Sequence, residues 1–113
     1  MRSLEFIFLS SLLLLLVACA KPVPPDKTSY VGQWKGPAMS LLITQDGSVA
    51  YKRIKGGVTT SINAPLRDFH ENVFDVGIGT FKTTFVVSKP PHEVNGKWKM
   101  TVDGVILTRL EDE

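Results

Sequence analysis

Glycine or proline recurs throughout residues 31–110, and no apolar stripe of helical 3.6-residue spacing lasts ten positions anywhere in that stretch. Apolar side chains alternate with polar ones instead, in short runs rich in Val, Ile, Thr and Phe. That pattern suits strands with one buried face and excludes a helical bundle. Eight runs qualify as strands: 31–35, 39–44, 49–54, 58–64, 73–77, 81–88, 97–102 and 105–110. Short strands at regular spacing with turn residues between them predict an all-β fold, a small eight-stranded antiparallel meander closed as a barrel or packed as a sandwich.

Two turns fix register. Asp103-Gly104 is a two-residue type I′ signal. It pairs Val102 with Val105, Met100 with Leu107 and Trp98 with Arg109 on one face, and Thr101 with Ile106 and Lys99 with Thr108 on the other. The first face is apolar until its end, so it should look inward, with the Arg109 guanidinium beside the Trp98 ring. At Gln45-Asp46-Gly47 a two-residue loop would set Leu41 against Lys52 and scatter the apolar residues. A three-residue loop with a left-handed Gly47 pairs Ile43 with Val49 and Leu41 with Tyr51, which gives one clean face. In the run 81–88, Phe81, Phe85 and Val87 fall together, and Pro90-Pro91 is expected to end the strand, since proline cannot donate to a ladder. The expected interior is Trp34, Leu41, Ile43, Tyr51, Phe74, Phe85, Trp98, Met100 and Leu107. That set nearly fills an eight-stranded barrel, which has room for side chains or one small ligand.

The N-terminus begins Met1-Arg2-Ser3-Leu4-Glu5 and continues as an apolar run from Phe6 to Val17. A spanning helix needs about 20 apolar residues, so this run fits the core of a secretory signal peptide. It ends in Leu16-Val17-Ala18-Cys19, which holds the only cysteine of the chain. This tetrad resembles the lipobox of bacterial lipoproteins, in which a dedicated peptidase cuts before a lipid-modified cysteine. The resemblance implies cleavage between Ala18 and Cys19, a diacylglyceryl thioether on Cys19, and an acylated amine bearing chains such as palmitate. Two or three chains give stable anchoring, at ~0.8 kcal/mol for each buried CH₂. Ala20, in place of the aspartate that retains such proteins in the inner membrane, implies the outer membrane and a periplasm-facing domain; the inner membrane and the cell surface are the alternatives. The expected organisation is a signal peptide over 1–18, a lipidated proline-rich tether over 19–29, a β domain over 30–111 and an acidic tail at 112–113. Three prolines in residues 22–25 favour extended polyproline II in the tether.

Removing residues 1–18 takes away one cation, Arg2, and one anion, Glu5, so the net charge stays at +2. A near-neutral domain without a clustered basic face argues against nucleic-acid binding. With the cysteine committed to the anchor there is no disulfide, so core packing and ladder hydrogen bonds must hold the fold. A domain of this size buries only ~60% of its unfolded surface.

Val31-Gly32-Gln33-Trp34 opens the first strand, and Gly32-x-Trp34 resembles the opening motif of the calycin superfamily, to which lipocalins belong. The resemblance implies a lipocalin-like barrel, with Trp34 packed at its closed end against an arginine near the end of the last strand. Arg109 fits that role, and Trp98 competes for the same arginine. The domain is about half the length of a lipocalin, so its strands must be short.

No motif of catalysis stands out: there is no Gly-x-Ser-x-Gly elbow, phosphate loop or His-Glu-x-x-His. The expectation is a protein that is not an enzyme and carries no cofactor beyond the lipid on Cys19. His70 and His92 each precede a glutamate; a zinc site built on them is possible chemistry, but His-Glu pairs in loops are ordinarily solvated surface, so no metal is expected. Lys52, Arg53 and Lys55 form a small basic cluster, read as a solvated face. Two functions fit. One is a non-catalytic protein-interaction or envelope-structural module that works through loops 68–72 and 90–95, with Phe69, His70 and His92 as contact residues and a periplasmic protein as partner. The other is a lipocalin-like binder of a small apolar ligand or lipid moiety. The filled interior favours the first.

Overall fold

The structure, a computed structural model, describes residues 21–111. The expected signal peptide, with Ala18 and Cys19, and the tail residues 112–113 lie outside the described residues. A short 3-10 helix (Pro25–Tyr30) precedes nine strands: β1 (Gly32–Gly36), β2 (Met39–Ile43), β3 (Ser48–Lys55), β4 (Val58–His70), β5 (Val73–Ile78), β6 (Phe81–Phe85), β7 (Val87–Val94), β8 (Lys97–Val102) and β9 (Val105–Arg109). They form one antiparallel sheet in the order β6-β5-β4-β3-β2-β1-β9-β8-β7, curled into a half-barrel. The all-β meander is as expected.

The strand count is nine, not eight. The run expected over 81–88 divides at Val86, where the chain leaves β5 and begins to pair with β8. The two edges of the sheet, β6 and β7, are therefore consecutive in the chain. Pro90 and Pro91 do not end the strand either. They sit inside β7, whose ladder shifts register between Val87 and Lys89 and again between Lys89 and His92. An edge strand needs no donor on its open side, and bulges absorb the missing N–H groups.

Both register arguments hold. β2 and β3 pair Ile43 with Val49 and Leu41 with Tyr51, around Gly47 at φ +94°. The Gly47 N–H donates to the Thr44 carbonyl at 3.0 Å, and the Ser48 N–H donates to Thr44 Oγ1 at 3.0 Å. β8 and β9 pair Val102 with Val105 and Met100 with Leu107 around Asp103-Gly104, both at positive φ. This is the backbone of a type I′ turn, whose twist matches that of the strands.

The core contains every expected interior residue except Trp98, which is half-buried. Trp34, Phe74, Met100, Leu107, Val76 and Val102 are wholly inaccessible. Phe74 lies between Phe85, at 5.1 Å between ring centroids, and Phe69, at 5.5 Å. Phe81 falls on one face with Phe85, as the alternation implies. It pairs with Ile78, yet 82% of it is exposed, because the β5–β6 tip rises beyond the packed interior.

The expected tether is already docked from Val23 onward. Val23 is 3% exposed. Its N–H donates to the Gln45 carbonyl at 3.0 Å, and its carbonyl accepts from Gln45 Nε2 at 3.1 Å. Pro24 keeps the extended geometry, φ −61° and ψ 154°, before Pro25 opens the 3-10 helix. Tyr30 then inserts its ring beside Phe69 and Phe74.

Candidate interaction surface at the open end of the half-barrel

Trp34 sits on β1 opposite Arg109 on β9. The Arg109 guanidinium lies 5.7 Å from the Trp34 ring centroid and 5.1 Å from that of Trp98. The two tryptophans thus share the arginine. Trp34 Nε1 donates to the Tyr30 carbonyl at 3.0 Å, which satisfies the one polar atom of a buried indole. This cluster is interior packing rather than a receptive site.

Loop 68–72 contracts to a turn at Glu71-Asn72, since β4 runs on through His70. Phe69 is accordingly half-buried, with its ring 5.1 Å from Tyr30, and is not a free anchor. His70 remains exposed. Its Nε2 is 3.1 Å from Asp75 Oδ2 and 3.8 Å from Asp68 Oδ2. Asp68 and Asp75 are direct cross-strand neighbours, a like-charge pairing that is unfavourable by itself. Asp75, at 4% exposure, is the one buried charged group among the described residues. Thr84 Oγ1 donates to Asp75 Oδ1 at 2.7 Å and Lys82 Nζ lies 3.9 Å from Asp75 Oδ2. The Thr84 hydroxyl first, then Lys82 and His70, hold the Asp75 carboxyl below its ordinary range against the opposing effect of burial. A carboxylate stabilised in this way is a weak base, suited to holding a ladder rather than moving protons.

His92 is exposed on β7, with Nδ1 2.9 Å from the Pro90 carbonyl oxygen. It shares no strand pairing with His70. Among the described residues no three His, Cys, Asp or Glu side chains gather as a metal site would require.

The receptive surface lies elsewhere. β5 pairs with β4 only from Leu66 to His70, whereas β3 pairs with β4 along its whole first part, from Val58 to Pro65. β3 itself pairs with β2 from Val49 to Arg53, so the first part of β4 is a free edge of the sheet, and only the hairpin tip, from Ile54 to Thr59, stands as a two-stranded ribbon. Ile54 is 49% exposed on it and Val58 65%. Along the free edge of β4, Ile62 and Ala64 share an apolar groove of about 270 Å³ with Ile78 and Phe81. Ile78 and Phe81 are 65% and 82% exposed. Sequence reasoning passed over this region because each signal looked ordinary alone. Gly56-Gly57 reads as a turn, Lys52, Arg53 and Lys55 as a solvated face, and Phe81 only as a same-face neighbour of Phe85.

The ribbon points away from the N-terminus. The Lys21 backbone lies so close to Gly47 that no Cβ would fit there. Gly47 precedes β3, and the ribbon tip follows the far end of that eight-residue strand, about 25 Å away at ~3.3 Å per residue.

No family model matches this sequence, and no curated protein or solved structure matches the chain.

Proposed function

We propose that this chain is a lipid-anchored periplasmic lipoprotein, held at the outer membrane through Cys19, whose β domain serves as a non-catalytic protein-interaction or envelope-structural module. The observation that carries the reading is the exposed pair Ile78 and Phe81 at the β5–β6 tip, beside the free edge of β4. Exposed apolar groups gathered in one patch mark interaction sites. The filled interior supports a surface role over an enclosed ligand. The groove of about 270 Å³ supports a second reading, a lipocalin-like binder of a small apolar ligand or lipid moiety, although its size is at the low end for such sites.

The test uses the full chain in Gram-negative cells, with a photoreactive residue at Phe81 and, in a control, at Ile106, which is also exposed. The expected result is a discrete protein adduct from position 81 and none from 106. The absence of a protein adduct, together with a stoichiometric extra mass lost on denaturation, would replace this reading with the ligand-binding one. Labelled palmitate should enter the chain and fail to enter Cys19→Ser.

A further inference from the structure

The β3–β4 ribbon leaves one edge of β4 unpaired. The turn Lys55-Gly56-Gly57-Val58 has both glycines at positive φ, +59° and +79°, and Lys55 pairs with Val58. In a two-residue hairpin that closing pair exchanges both hydrogen bonds, and bonded pairs then alternate along the ladder. Val58, Thr60, Ile62 and Ala64 thus direct their backbone groups to β3, whereas Thr59, Ser61 and Asn63 direct theirs outward. None of these three outward N–H or C=O groups has a partner among the described residues. Exposed edges are ordinarily blunted by charge, proline or a bulge. Residues 58–64 contain no charged residue and no proline, and their ladder with β3 has no bulge.

The charge around this edge has one sign. Residues 47–67 hold Lys52, Arg53, Lys55 and Arg67 and not one Asp or Glu. None of the four forms an ion pair among the described residues. The groove of Ile62, Ala64, Ile78 and Phe81 lies where a strand added to β4 would meet the β5–β6 tip.

The geometry points to β-strand addition: the edge at Thr59, Ser61 and Asn63 accepts an extended acidic segment of a partner protein, with one apolar side chain of that segment seated against Phe81. This rests on the protein-interaction reading and gives it a surface and a partner chemistry. Backbone hydrogen bonds supply affinity in this mode and alternate side chains supply specificity. A second copy of the chain is disfavoured, because it would bring two basic ribbons together. An anionic bilayer would leave the edge hydrogen-bonding groups unpaired.

The test uses the full chain in detergent micelles. The probe is a short peptide alternating Glu with Val; its Lys/Val counterpart and a version N-methylated along one edge serve as controls. The amide protons of Thr59, Ser61 and Asn63 should exchange more slowly with the Glu/Val peptide, and affinity should fall at least roughly tenfold with either control. Ser61→Pro removes one outward donor without touching the β3 ladder and should lose a similar factor, while Ser61→Ala should not. The Ala variant, with a melting curve of the Pro variant, separates lost binding from lost folding. No protection of these amides, equal binding of the Lys/Val peptide, protection by anionic phosphatidylglycerol vesicles instead, or self-association would each overturn the edge proposal. A protein adduct at position 81 that persists in any of these cases would leave the interaction reading standing, and its absence would remove both.

Discussion

Val86 and Asp103 exchange a pair of hydrogen bonds beyond the last β7–β8 pair, Val87 and Val102. The Val86 N–H donates to Asp103 Oδ1 at 2.9 Å, and the Asp103 N–H donates to the Val86 carbonyl at 2.8 Å. The chain corner between the two edge strands is thereby tied to the β8–β9 turn. Asp103 also holds φ at +48°, which Asp and Asn adopt at lower cost than Ala. Asp103→Ala should therefore destabilise the fold by roughly 2 kcal/mol, from the lost acceptor and the backbone strain together. Asp103→Asn keeps an Oδ1 acceptor and the turn preference, so it should stay within about 0.5 kcal/mol of the parent. Urea unfolding checks both; an equal loss in the Asn variant would mean that the charge, not the geometry, makes the tie.

Gly32 and Arg109 are coupled. Gly32 sits at φ +141°, and a Cβ there would lie 2.7 Å from Arg109 Cδ. Gly32→Ala should destabilise by about 2 kcal/mol, partly through strain and partly through displacement of the arginine from its tryptophans. Arg109→Ala alone should lose about 1–2 kcal/mol of cation–π and packing energy and shift the tryptophan emission. The double variant should lose less than the sum, because the clash vanishes with the arginine. Strict additivity in urea midpoints would refute the coupling.

The sequence made the β2–β3 and β8–β9 registers legible because turn chemistry and alternation agree there. Gly47 and Asp103-Gly104 set loop lengths that bury Ile43, Leu41, Met100 and Leu107 together. Where the local signal conflicts with tertiary context, the sequence misleads. Pro65 and Pro90-Pro91 look like strand ends, yet β4 passes through Pro65 as its partner changes from β3 to β5, and β7 tolerates its prolines because it is an edge. Val23 belongs to no periodic pattern, so its burial beneath Gln45 leaves no trace in the sequence. The receptive surface was illegible for a related reason. Alternation tells which face Phe81 takes, but not that the interior ends before reaching it.

Acid should expose the role of Thr84. Asp75 has its carboxyl depressed in the folded state, chiefly by the Thr84 hydroxyl. A depressed carboxyl contributes stability above its unfolded value, ~3.9, and loses it as pH falls through the folded value. Thr84→Val should destabilise by about 1 kcal/mol at neutral pH. The gap should begin to narrow as pH falls below the unfolded value of ~3.9 and close once pH has passed the depressed folded value, where Asp75 is protonated in the parent as well. Urea midpoints across the acid range test this; a gap independent of pH would assign the loss to side-chain packing.

The N-terminal segment is structural from Val23. Val23→Ala removes two methyl groups from a site only 3% exposed and should destabilise by about 2 kcal/mol. Gln45→Ala should free the same segment by removing its bond to the Val23 carbonyl. Limited proteolysis should then cut near residues 21–24 sooner in either variant than in the parent. Equal cleavage rates would show that the 3-10 helix alone holds the segment.

Phe81 separates folding from recognition. With 82% of it exposed and its partner Ile78 also open to solvent, Phe81→Ser should leave the urea midpoint within about 0.5 kcal/mol. An apolar anchor at an interface commonly carries 2 kcal/mol or more of binding, so the same variant should lose most of the protein adduct formed by a photoreactive residue at Ile78. A large stability loss would mean that the β5–β6 tip packs more tightly than its exposure implies. An unchanged adduct would mean that Ile78 and its neighbours, rather than Phe81, carry the contact at this tip.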